Sequence, residues 1–124
     1  MKKYQVLLSL LTTGMVLIYS CQYEEIVQPD VPHLDTSLTI HFTDTIVPIF
    51  DQAGCLNCHG GNISPDLRPS QAYDAIVPQL VDLNDPDASK IYWVPAPASD
   101  HAQKYSASQA ALVRAWIVQG AKDN

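Results

Sequence analysis

Residues 55–59 read Cys55-Leu56-Asn57-Cys58-His59, and this stretch decides what the chain is built around. On a helical turn two thiols three residues apart point the same way, so each can reach one of the two vinyl groups of a haem. The next side chain, His59, is rotated toward the ring centre, where an imidazole nitrogen gives iron an axial ligand. C-x-x-C-H is the local signature of c-type haem attachment. The expectation is one haem c per chain, bonded through Cys55 and Cys58 and ligated by His59. Two other chemistries use paired cysteines. A redox disulfide of the thioredoxin kind sits near a βαβ pattern, which this chain lacks. A zinc site needs two further ligands, and these would have to be isolated histidines such as His41 and His101, without paired spacing.

The start of the chain reads as an export signal. Lys2 and Lys3 form a positive n-region, Val6 to Ile18 an apolar h-region, and small Ser20 stands before Cys21. The h-region falls short of the roughly 20 apolar residues that a membrane-spanning helix requires. Ile18-Tyr19-Ser20-Cys21 resembles a bacterial lipobox, whose cysteine becomes the acylated first residue of the mature lipoprotein. Cys21 is therefore the expected lipidation site; the alternative is an ordinary signal peptide followed by a buried or paired Cys21. Acyl chains would hold the protein on a membrane, since each buried methylene contributes about 0.8 kcal/mol. Gln22 stands where an aspartate would resemble an inner-membrane retention signal, which favours the outer membrane. Glu24 and Glu25 resemble the acidic surface-export signals of some lipoproteins of Bacteroidetes-like bacteria, or else solvate a tether. The expected address is an outer-membrane lipoprotein facing the periplasm or the cell surface.

The organisation expected is a signal peptide over 1–20, an acylated N-terminus and flexible tether over 21–40, and one domain over 41–124. Loss of Lys2 and Lys3 with the signal leaves five basic against thirteen acidic residues, a formal net charge of −8. That balance argues against nucleic acid as a partner and favours a redox partner protein with a basic docking surface. Pro29 and Pro32 among polar residues mark the tether as extended. A domain of this size buries a modest core and commonly needs a staple, which a covalent haem supplies.

Within 41–124 the periodicity is helical. Thr43 is placed to cap a first helix with Asp44 in its first turn, Ile46, Ile49, Phe50 and Ala53 on its apolar stripe and Gly54 at its end. Pro48 predicts a kink or a late start. After His59, the turn-rich segment Gly60, Gly61, Asn62 and Pro65 is placed to accept a hydrogen bond from the second ring nitrogen of His59. Leu67 is a candidate for packing on the cofactor. Ser70 is read as the cap of a short helix over 71–77, and Asp85-Pro86 as the start of one running into Ser89-Lys90-Ile91-Tyr92-Trp93. Val94-Pro95-Ala96-Pro97 stops it. Ser106-Ala107-Ser108-Gln109 is a capping box opening a last helix that Gly120 ends, with Leu112 and Trp116 facing the first helix. Trp93 and Trp116 are read as core residues. Four helices without a hairpin predict an all-α fold.

Pro48-Ile49-Phe50, Cys55 to His59, Asp66-Leu67, Asp85-Pro86 and Leu112 to Ala121 occur in an order that resembles small single-haem c-type cytochrome domains of class I type. The resemblance covers nearly all of 41–124. It implies a small helical domain wrapped around haem, and electron transfer as its function. Members of that family usually carry a methionine in the proline-containing loop before the last helix as the sixth iron ligand. This chain has methionine only at Met1 and Met15. The corresponding loop, Val94 to Tyr105, offers His101, which is the expected distal ligand; His41 and His33 stand behind it. Two imidazoles leave no open position on the metal, so the chain is expected to carry electrons rather than catalyse a reaction. A vacant sixth position would instead fit a haem sensor or a peroxidase-like enzyme. A third possibility is an accessory lipoprotein of an outer-membrane complex in which haem is mainly structural.

Overall fold

Phe42 is the hub from which the fold is built. Its ring lies edge-on to Tyr73 at a centroid distance of 5.2 Å and tilted against Trp116, also at 5.2 Å, and only 2% of it is exposed. Truncating such a residue costs about 3–5 kcal/mol. The computed structural model describes residues 38–124, and the expected signal peptide, Cys21 and His33 lie outside the described residues. Within them the chain is all-α, with no strand.

A wide π turn over Phe42–Ile46 leads into α1, Val47–Gln52. Pro48 falls in the first turn of α1, where its missing N–H has no partner to lose, so the late start is the outcome. Thr43 does not cap this stretch. His41 precedes it without a side-chain cap, and the free N–H groups are taken from far along the chain. The Phe42 N–H donates to Asn124 Oδ1 at 2.9 Å and the Thr43 N–H to the Asn124 carbonyl at 3.1 Å. Gln119 grips the approach to the domain in the same way. Its amide accepts from the Ile40 N–H at 2.8 Å and donates to the Leu38 carbonyl at 2.9 Å, and Ile40 is buried.

α2 is the single turn Leu56–His59, and α3 is Ala72–Ile76. Neither Ser70 nor any other side chain caps α3. Pro86–Ala88 forms one 3₁₀ turn, α4 spans Lys90–Trp93, and the two are separate pieces because Ser89 between them is extended (ψ 121°). Ser89 is 1% exposed and its hydroxyl serves the Asp82 backbone, accepting from its N–H at 2.9 Å and donating to its carbonyl at 3.3 Å. A local helix signal has here lost to a tertiary contact. Trp93 is not a core residue; half of it is exposed.

α5, Ala107–Val118, opens with the expected capping box, Ser106 and Gln109 exchanging side-chain and backbone bonds. It closes at Gly120, φ +97°, with the Ala121 N–H donating to the Trp116 carbonyl and the Gly120 N–H to the Ile117 carbonyl. Trp116 reaches Phe42 while Leu112 is partly buried against the same core. Arg114 of α5 holds Asp87 in the 3₁₀ turn through two bonds of 2.7 and 2.9 Å. No helix among the described residues is long and apolar enough to cross a membrane.

Candidate functional site

Gly54 sets the site. It follows α1 with φ +73°, and the flanking amides complete a helix stop: the Gly54 N–H donates to the Asp51 carbonyl at 2.9 Å and the Cys55 N–H to the Phe50 carbonyl at 2.8 Å. Only a residue at ease with positive φ makes this reversal cheaply. The chain therefore re-enters helix at once, and the His59 N–H donates to the Cys55 carbonyl at 2.9 Å. Cys55 is buried and burial pushes its thiol pKa up. Cys58, one turn on, is exposed; neither cysteine is in a disulfide.

His59 is held by the loop that follows it. Its Nδ1 lies 3.1 Å from the Pro65 carbonyl and 3.2 Å from the Ile63 carbonyl, and the loop is closed where the Leu67 N–H donates to the His59 carbonyl at 2.8 Å. A carbonyl only accepts, so Nδ1 is the donor, and Nε2 is the ring nitrogen left free of these bonds. His101 repeats the arrangement from the other side. Its Nδ1 donates to the Gln103 carbonyl at 2.7 Å, which leaves Nε2 without that bond there as well. Buttressing of this kind fixes ring orientation and raises ligand basicity.

The two imidazoles face each other at a centroid distance of 6.2 Å with their planes 16° apart. They share a cleft of about 250 Å³ with Cys55, Leu67, Leu80, Ile91, Val94, Pro95 and Tyr105. Two Nε2–metal bonds of about 2 Å and two ring radii of about 1 Å sum to about 6 Å, so the separation is compatible with a shared ion where both Nε2 edges turn toward it. The two rings could then serve one metal ion. Among the described residues no three His, Cys, Asp or Glu side chains are grouped as a protein-only metal site requires. The largely apolar lining, with both imidazoles and Cys55 in it, would accommodate a flat apolar cofactor.

Tyr105 supplies an independent fit. Its hydroxyl is the one buried side-chain polar atom among the described residues without a hydrogen-bond partner, and burial, with Cys55 nearby, drives its pKa up. A buried orphan of this kind costs about 1–3 kcal/mol, so an occupant that brings an acceptor is favoured. The cleft thus unites Cys55, His59, His101 and Leu67. His41 is exposed and does not line it, nor does Cys58. Sequence reasoning passed over Tyr105 and Lys90, which also line the cleft. Tyr105 carried one readable signal: it stands just before the Ser106 cap, where an apolar side chain packs back on its own helix. Two further depressions, one beside Leu38 and Asn124 and one beside Asp82, contain no histidine or cysteine.

Comparison of the chain with protein-family models, with curated proteins and with solved structures gave no match.

Proposed function

We propose that this protein is a membrane-anchored electron carrier holding one haem c, bonded through Cys55 and Cys58, with His59 as proximal and His101 as distal ligand. The observation that carries the reading is the pair of near-parallel imidazoles 6.2 Å apart across an apolar cleft that also contains Cys55. The domain is then a small cytochrome c-like helical fold of class I type, tethered by lipid at Cys21 to the outer membrane.

Bound there, haem iron supplies a one-electron ferric/ferrous couple. The chain does the rest. Pro65, Ile63 and Gln103 hold both imidazoles in the tautomer that ligates through Nε2. Leu67, Leu80, Ile91 and Val94 keep water from the faces of the cleft. With His101 as its second imidazole ligand, the iron would be closed to peroxide or diatomic ligands and would have a lower potential than with methionine ligation. Acidic charge on the domain steers it toward an electron donor or acceptor with a basic surface.

The test is expression with the c-haem ligation machinery. The expected product is red, low-spin, and heavier than the acylated chain by one covalent haem. A colourless product with the mass of the bare chain overturns the proposal.

A further inference from the structure

Besides the two imidazoles and Cys55, the cleft lining has three polar side chains: the orphaned Tyr105, exposed Ser64, and Lys90. Lys90 is its one cation. Both arginines of the domain are engaged, Arg68 with Asp66 and Arg114 with Asp87, whereas Lys90 makes no ion pair among the described residues. Lys90 is itself exposed, so its chain lines the cleft while its ammonium can stay in water. Its ammonium is strongly hydrated and gains nothing from the flanking Leu80, Ile91 and Val94. The position suits an occupant with a flat apolar body and an anionic edge that stays near water.

We infer that Lys90 is the carboxylate-binding residue of the cleft, pairing with one propionate of the haem and thereby fixing which edge of the ring lies against α4. The inference rests on the proposed haem reading and deepens it. Two consequences follow from the chemistry. The pairing gives that propionate a charge-assisted hydrogen bond. It also offsets a negative charge near the iron, which favours the ferrous state.

Three variants of the haem-loaded, full-length protein test this: Lys90→Gln, Lys90→Arg, and Lys122→Gln, whose lysine lines the depression beside Asn124 instead. The readouts are covalent haem content by mass, the propionate bending band in resonance Raman, and the reduction potential. Lys90→Gln is expected to keep its haem, shift the propionate band, and move the ferric/ferrous equilibrium about two- to fivefold toward ferric, or about 20–40 mV at 59 mV per decade. Lys90→Arg restores both signals toward wild type, and Lys122→Gln leaves the band in place. A fully loaded Lys90→Gln protein with an unmoved propionate band overturns the pairing, even where the potential drifts, because a drift alone is only a lost surface charge. A wild-type protein that takes up no haem overturns the haem reading itself and this inference with it.

Discussion

Replacing Tyr105 by Phe asks what fills the cleft, because the two possible answers differ in sign. The substitution removes one oxygen from a side chain that is 2% exposed and leaves the ring in place. If the loaded cleft leaves the hydroxyl as orphaned as it is among the protein groups, its removal relieves a buried polar atom and stabilises the fold by about 1–3 kcal/mol. If the occupant, or a water it holds, accepts a bond from Tyr105, the loss costs about 0.5–1.5 kcal/mol and leaves that acceptor unserved. The second outcome is expected. With a urea slope of about 1–3 kcal/mol/M for a small protein, the midpoint of Tyr105→Phe falls by roughly 0.2–1.5 M. The assay is urea unfolding of both haem-loaded proteins, followed by far-UV circular dichroism, with the slopes compared to establish that the denatured state is unchanged. A midpoint that rises at constant slope refutes the reasoning.

Further expectations concern the elements around the cleft. His101→Ala, carrying its covalent haem, is expected to turn from low-spin to high-spin and to bind carbon monoxide in the ferrous state; an unchanged low-spin spectrum removes His101 as ligand. Gly54→Ala forces positive φ on a residue with a Cβ, and that Cβ meets Gln103 Oε1 at 3.0 Å. A loss of about 1–2 kcal/mol is expected from the conformation alone, read as a lower thermal midpoint. Arg114 holds the Asp87 carboxyl below its ordinary range. A depressed folded pKa contributes stability above the ordinary carboxylate pKa, and the contribution is lost as pH falls through the lower folded value. Asp87→Asn is thus expected to flatten the fall of thermal midpoint with acidification below about pH 4, and curves that remain parallel would deny the pair any role.

What could be read from the sequence was local. The Gly54 stop, the Ser106–Gln109 capping box and the Gly120 stop each satisfy their own backbone groups within a few residues, so their residue types announce them. The expected bond from His59 to its own loop is of the same kind, though only the structure assigns it to Ile63 and Pro65. Long-range competition was illegible. Asn124 replaced Thr43 as the partner of the first free amides. The Ser89 hydroxyl, turned toward Asp82, split what reads as one helix from Asp85 to Trp93. Neither contact leaves a periodic trace. His101 was singled out because its loop held no methionine, not because any pattern placed it opposite His59. Their juxtaposition depends on how the loop after α4 returns to α2, and no window of residues contains that information.

The clasp that Gln119 and Asn124 make on residues 38–43 has a mechanical consequence. Tension applied at Leu38 would be met first by the side-chain amide of Gln119 and then by Asn124, six residues beyond α5. The depression at that clasp shares no residue with the histidine cleft. Strain at this N-terminal edge of the domain would thus be taken up by residues that do not line the histidine cleft.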